Sequence, residues 1–282
     1  LDHWLPVDLY VGGAEHTVLH LLYSRFFTKA LHNLGYIDFD EPFLKLRHQG
    51  IIVAEDSRKM SKSFGNTVNP DDVVKEFGAD TMRLYEMFMG PLEDTKQWNT
   101  KSIIGIYRFL EKINNLKEKV DITFALNDET MDRMIHKTIK KVAGDIENMK
   151  FNTAISQMMI ALNLITEKKQ ISSKNYRLYL ILLAPFAPHL AEELWAKLEN
   201  KKSIFAEAWP TYDETLAKDE MIELVLSING KVRDRIRVSA DITEADAKKL
   251  AEESESIKKW TKGKEIVKVV FVKGRLLNIA LK

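Results

Sequence analysis

The chain has 282 residues, 45% of them hydrophobic and 29% charged, with 7 Pro, 12 Gly and no Cys. That is enough apolar side chain to bury more than one core and too little breaker content for disorder, and it excludes disulfide scaffolds, thiolate metal sites and cysteine nucleophiles. The formal charge of +1 hides an asymmetry, because residues 221–282 carry 14 Lys and Arg against 9 Asp and Glu, a balance of +5 that leaves the first 220 residues at −4.

No apolar run approaches the ~20 residues that a membrane span needs. The opening LDHWLPVDLY has neither a basic nor an apolar leader, so a cytoplasmic protein without a membrane partner is expected. The absence of an initiator Met points to part of a longer protein or one subunit of a split one.

Residues 5–11 form a β-branched and apolar run that ends in Gly12-Gly13, after which Val18, Leu19, Leu22, Phe26 and Ala30 recur at helical spacing up to Gly35. The pattern is strand, glycine turn, helix. A second strand is expected over 46–53, then a polar stretch over 54–69, a helix opened by Pro70-Asp71-Asp72, and another over 79–89 stopped by Gly90-Pro91. Strands alternating with helices indicate an α/β layer with a parallel sheet, whose ligands sit at the carboxyl ends of the strands. Both the Gly12-Gly13 turn and the polar stretch fall there.

Beyond Trp98 apolar residues fall at i, i+3 and i+4 in four blocks, 103–120, 127–148, 152–168 and 173–198, which reads as an antiparallel four-helix bundle with Pro185 and Pro188 bending or interrupting the fourth helix. Residues 203–220 read as a linker that leans on the bundle through its aromatics. Strands over 223–228 and 231–238 flank Asn229-Gly230, a dipeptide that favours a type I′ hairpin turn. A helix over 243–253 and a second hairpin over 267–272 and 275–281 complete a small α+β unit. The expected domains are therefore 1–98, 99–202 and 221–282, with 203–220 between the last two.

The polar stretch contains Lys59-Met60-Ser61-Lys62-Ser63, then Phe64-Gly65-Asn66. Two lysines three apart on a loop, with two hydroxyls and a flexible glycine, can close over a polyphosphate and balance the charge of a departing phosphate. A bare K-x-x-K loop is more commonly a solvated turn. His16 and His20, at i and i+4, share one helical face, and with no carboxylate at ligand spacing no metal is expected there. Asp80 and Arg83 read as structural helix-end residues. In the tail, Lys231, Arg233, Arg235 and Arg237 alternate with Val232, Asp234 and Ile236, which predicts four basic side chains on one strand face and two apolar ones toward the core.

The pentapeptide KMSKS resembles the signature of class I aminoacyl-tRNA synthetases, and five further runs make the resemblance specific to leucyl-tRNA synthetases beyond their editing insertion. They are WLPVDLYVGGAEHTVLHLLYSRFF at 4–27, HQGIIV at 48–53, GADTMRLYEMF at 78–88, LLAPFAPHLAEELW at 182–195 and INGKVR at 228–233, with GRLLNIAL at 274–281 also similar. The resemblance covers essentially the whole chain. It implies a partial Rossmann-like catalytic domain, a helical bundle of the anticodon-binding type and a small α+β C-terminal domain, acting on ATP with Mg²⁺, leucine and tRNA(Leu). It further implies that Lys62, assisted by Lys59, Met60, Ser61 and Ser63, stabilises the triphosphate. By the same resemblance Gly12 and Gly13 admit adenosine, Glu15 accepts from ribose hydroxyls, and His16 and His20 line the leucine pocket. The basic residues Lys231, Arg233, Arg235 and Arg237 would meet the body of tRNA.

The HIGH signature and the editing domain of that family are absent, so an N-terminal half or α subunit is an expected partner and the chain alone is expected to be inactive. The leucine-specific insertion usual before KMSKS is also missing, with only residues 55–58 in its place. Two rival readings are a tRNA-binding module without catalysis and a ligase for valine or isoleucine, against which the INGKVR tail argues.

Overall fold

Pro6 has no N–H to donate, and the first apolar run pairs only through a single bridge at Val7 before the strand proper, β1 (Tyr10–Gly13), begins. This computed structural model describes residues 3–121, 128–218 and 221–282. Asn127, at the head of the second helical block, and residues 219–220 of the linker lie outside them. A 3-10 turn over Ala14–Val18 leads into α1 (His20–Asn33), and Gly35, at φ 76, ends that segment. β2 (Leu46–Gln49) lies parallel to β1, with Tyr10 opposite Leu46 and Gly13 opposite Gln49.

The strand expected over 46–53 is two strands. β3 (Ile52–Val53) pairs in parallel with β4 (Lys96–Gln97) in a separate sheet. The break is at Gly50, whose N–H donates to the Leu92 carbonyl, and where a Cβ would lie 1.9 Å from the Asp94 carbonyl oxygen. Only glycine lets the 92–94 backbone come that close. Asn69 caps α2 (Pro70–Phe77) by accepting from the Asp71 N–H, and Gly78, at φ 88, separates it from α3 (Ala79–Phe88).

The bundle consists of α4 (Thr100–Asn115), α5 (Glu129–Glu147), α6 (Phe151–Glu167), α7 (Ser173–Leu183) and α8 (Pro188–Ala196). Short strands β5 (Val120–Asp121) and β6 (Ile171–Ser172) pair in parallel beside it. The fourth expected helix is divided at Pro185, and Pro188 starts α8 at a position where its missing N–H costs nothing. Ile103, Ile113, Ile135, Ile155, Tyr179 and Leu183 form a fully buried centre, and Val73, Leu84, Tyr85 and Trp98 belong to the same core. The α2–α3 segment is therefore packed against the bundle rather than tethered to it. Ile204 is also in that core, and Lys140 lies 5.4 Å over the Tyr212 ring.

Two compact units result, Leu1–Asp213 and Glu214–Lys282, so the linker expected over 203–220 is shared between them. The second unit contains α9 (Glu214–Ala217), β7 (Met221–Ile228), β8 (Lys231–Ser239), α10 (Glu244–Glu253), α11 (Glu255–Thr261), β9 (Ile266–Val272) and β10 (Leu276–Leu281). Its sheet order is β8-β7-β10-β9, with β10 parallel to β7. Asn229 at φ 48 and Gly230 at φ 77 make the left-handed pair that the type I′ turn requires. Leu224, Leu226, Ile228, Leu277 and Ile279 bury one face of the sheet in a core that also holds Ala247, Ala251 and Ile257 of the two helices.

Candidate active site

The carboxyl ends of β1 and β2 open into a cavity of about 430 Å³ whose lining includes Tyr10, Gly12, Gly13, His16, His20 and Gln49. His16 and His20 do not share an α-helical face, as their spacing suggested. His16 lies in the 3-10 turn and His20 starts α1, because Leu19, at φ −120 and ψ −94, breaks the helical path between them. Both nonetheless line the cavity. His20 Nε2 lies 2.5 Å from the Tyr10 hydroxyl, and the Tyr10 ring stacks on Phe43 at 4.0 Å, so the imidazole is held by an aromatic support. Gly13 is buried, and a Cβ there would meet the Glu15 carboxylate at 2.2 Å. That glycine lets Glu15 fold back over the turn.

Glu15 lines an adjoining cavity of about 490 Å³, together with Gln49, Ile52, Glu86, Lys96 and Phe151. Partial desolvation raises the Glu86 carboxyl above its ordinary range, with Arg83 offsetting the shift in part, although the residue itself remains exposed. Burial likewise lowers the Lys96 ammonium, against the pull of Asp94 and Glu93. Sequence reasoning missed Tyr10, Gln49, Glu86 and Lys96. The available signal was a charged Glu86 between Tyr85 and Met87 in an otherwise apolar stretch of helix.

The lysine loop lines neither cavity. It grows from a closed turn in which Val53 bridges Lys59 and the Ala54 N–H donates to the Arg58 carbonyl. Asn66 organises the loop: its side chain accepts from the Ser61 N–H at 2.9 Å and donates to the Lys59 carbonyl. The Ser61 and Ser63 hydroxyls are hydrogen-bonded at 2.7 Å. Met60 packs partly against the main core, Lys62–Phe64 form a 3-10 turn, and Gly65 closes it at φ 62. Asp56 is occupied by Arg58, which holds its carboxyl below the usual range. Lys59 and Lys62 are exposed, and among the described residues neither has an ion-pair partner.

In the second unit the four basic residues do not share one face. The β7–β8 register shifts between Leu226, opposite Asp234, and Ser227, opposite Val232, leaving Arg233 unpaired in a bulge. Arg233 stacks 3.6 Å over the Trp260 ring on the helix side of the sheet, whereas Val232, expected in the core, is 54% exposed. Ile236 packs against the core as expected. Arg235 and Arg237 lie on the open face opposite Val225 and Glu223, and Arg235 bridges Glu223 at 2.9 Å. Lys231 adjoins the turn, opposite Ile228.

Residues 1–98 match the family of tRNA synthetases class I (I, L, M and V), and residues 128–249 match the anticodon-binding domain of tRNA ligase. The leucine–tRNA ligase of Borreliella burgdorferi (strain ZS7) is 45% identical over 320 residues, covering 100% of this chain and 38% of that protein. That of Borreliella afzelii (strain PKo) is 45% identical over 316, again covering 100% and 38%. These alignments are longer than the chain, so both relatives carry insertions that it lacks. A crystal structure of the LeuRS of Agrobacterium radiobacter K84, in a ternary complex with tRNA and LeuAMS, has a TM-score of 0.83 and 34% identity over 100% of this chain and 39% of that one. Mycobacterium tuberculosis methionyl-tRNA synthetase in complex with methionyl-adenylate has a TM-score of 0.55 at 17% identity over 69% of this chain and 44% of that one, a likeness of fold alone. The chain spans about two fifths of the length of the curated relatives it matches.

Proposed function

We propose, for a chain that belongs to the leucine–tRNA ligases among the class I tRNA synthetases, that it supplies the C-terminal part of an enzyme joining leucine to tRNA(Leu) at the expense of ATP. The observation that carries this reading is 45% identity to a leucine–tRNA ligase over the whole chain, with the glycine turn open on a cavity and Lys62 exposed and without an ion-pair partner among the described residues. The leucine carboxylate attacks the α-phosphorus, the bond to the bridging oxygen breaks, and pyrophosphate leaves. The aminoacyl group then passes to a terminal ribose hydroxyl of the tRNA and AMP leaves. A carboxylate nucleophile needs no general base, so the residues present serve to orient the substrates and stabilise charge.

In this reading Lys62, with Lys59 and the backbone and hydroxyls of Met60, Ser61 and Ser63, meets the triphosphate. Gly12 and Gly13 admit adenosine, Glu15 accepts from ribose hydroxyls, and His16 and His20 shape the leucine pocket beside Tyr10. In this reading Mg²⁺ accompanies ATP as part of the substrate; among the described residues there is no group of three or more His, Cys, Asp or Glu that could hold a metal ion. No helix of the described residues is long and apolar enough to cross a membrane.

Val18, Leu22, Tyr23, Phe26 and Phe27 stand exposed along the turn and α1. An apolar face of that extent marks an interaction surface, and the N-terminal half or α subunit of the same enzyme fits it. The chain alone is therefore expected to show no leucine-dependent ATP–pyrophosphate exchange and to gain it when that half is added. Exchange by the chain alone would overturn this division of the site, and none after reconstitution would favour a tRNA-binding module without catalysis.

His16→Ala or His20→Ala is expected to weaken discrimination between leucine and a smaller or differently branched analogue by no more than ~1–3 kcal/mol, with tRNA affinity unchanged. Steady-state exchange kinetics with both amino acids measures this. Unaltered leucine kinetics in both variants would make the histidines ordinary helix residues.

A further inference from the structure

The root of the lysine loop is fastened to the start of the bundle. The Lys96 N–H donates to the Ile51 carbonyl at 3.0 Å and the Trp98 N–H to the Val53 carbonyl at 2.9 Å. Glu55 then makes two further connections: its backbone oxygen accepts from the Gln97 side-chain amide, and its carboxylate accepts from the Thr100 N–H at 2.9 Å. Thr100 is the first residue of α4, and its N–H is one of the helix-end donors that no carbonyl within the helix can satisfy. Asn99 takes the next two, accepting from the Lys101 and Ser102 N–H groups. A local cap and a residue 45 positions away thus divide the first turn of α4 between them. From α3, the Tyr85 hydroxyl accepts from the Asn99 N–H at 3.0 Å and donates to the Asn99 carbonyl at 2.9 Å.

On its other side Glu55 is continuous with the loop. It lies in the closed turn where Val53 bridges Lys59, four residues before Lys59 in the chain. The Thr100 bonds hold the Glu55 carboxyl below its usual range, so it stays an anionic acceptor at neutral pH.

We propose that Glu55 is a positioning residue that couples the orientation of α4 to the placement of Lys59 and Lys62, so that the bundle, when RNA engages it, sets where the two lysines stand. The coupling rests on the functional reading above. It has a physical carrier, hydrogen bonds from the first turn of α4 to Glu55 and the short backbone from Glu55 into the turn that holds the loop.

Glu55→Ala removes the carboxylate, Glu55→Gln keeps an oxygen that can accept from Thr100, and Thr100→Pro removes the donor at a helix position that tolerates proline. In the reconstituted enzyme Glu55→Ala and Thr100→Pro should each lower kcat of ATP–pyrophosphate exchange about 10-fold to 100-fold, the range that a misplacement of ~1 Å costs. The KM for leucine should stay within about twofold, since the amino-acid cavity is not touched. Glu55→Gln should recover most of the rate. In the 282-residue chain alone, backbone amide exchange over residues 59–66 should rise in Glu55→Ala and Thr100→Pro and return toward the parent in Glu55→Gln. Loop exchange unchanged in both disrupting variants, or no difference between Glu55→Ala and Glu55→Gln, would overturn the proposal. Lys62→Ala separates the two readings. If it is impaired while Glu55→Ala behaves as the parent, only the coupling fails; if it is unimpaired, the role of the loop fails with it.

Discussion

Replacing Lys62 by alanine should lower the rate of adenylate formation in the reconstituted enzyme about 100-fold to 1,000-fold, the loss that follows removal of one donor aimed at charge developing in the transition state. Lys62 is exposed, begins a 3-10 turn and has no ion-pair partner among the described residues, so its ammonium is not already committed to the fold. The loop does not depend on it. Asn66 holds the Ser61 N–H and the Lys59 carbonyl, and Gly65 supplies the left-handed turn, whatever side chain stands at 62. The loss should therefore fall on kcat, with the KM for leucine little changed, because the loop lines neither cavity beside β1. Exchange kinetics over a range of leucine and ATP concentrations separates the two. An unchanged rate would mean that the loop is a solvated turn.

Removing residues 221–282 should abolish charging of tRNA while sparing adenylate formation. The unit they form has its own core. Its open sheet face carries Arg235 and Arg237, which suit a phosphate backbone without reading bases. Neutralising both should flatten the salt dependence of RNA binding by about one unit of slope per lost contact. Arg233 should behave differently, since its guanidinium is spent on the Trp260 face, and its replacement should destabilise the unit more than it alters that slope. Undiminished charging by the shortened protein would show that the tail serves another purpose.

The helices of the bundle were legible because their apolar residues repeat at helical spacing, and the division at Pro185 and Pro188 followed from proline chemistry alone. Asn229-Gly230 announced its turn equally directly. The errors arose where a distant segment decides the local outcome. Gly50 breaks an apparent strand because the 92–94 backbone occupies the space of its side chain, which no window around residue 50 contains. Alternation along 231–237 assumed an unbroken register, and the bulge at Arg233 moved Val232 out and Arg233 to the opposite side. The candidate site was proposed from motifs, the glycine turn and the lysine loop, whereas the cavity lining contributed by Tyr10, Gln49, Glu86 and Lys96 has no such motif to mark it. Nor could sequence spacing show that Glu55 reaches Thr100.

In the second unit β10 is an inner strand, flanked by β7 and β9, and Leu277 and Ile279 sit in the middle of the core. The β7–β8 hairpin can form as soon as its turn has been synthesised, but the parallel pairing of Val225 with Leu276 joins residues about fifty positions apart. Closing so long a loop must precede any reward from the contacts it makes. A nascent chain that has not reached residue 276 therefore holds Leu224, Leu226 and Ile228 on a strand with one neighbour, beneath helices that have no complete sheet to cover. The bundle, built largely from helices that follow one another in the chain, meets no such delay. On topology alone, the helical body can be complete while the tail still lacks its inner strand, and the second unit's core is closed only once residues 276–281 are in place.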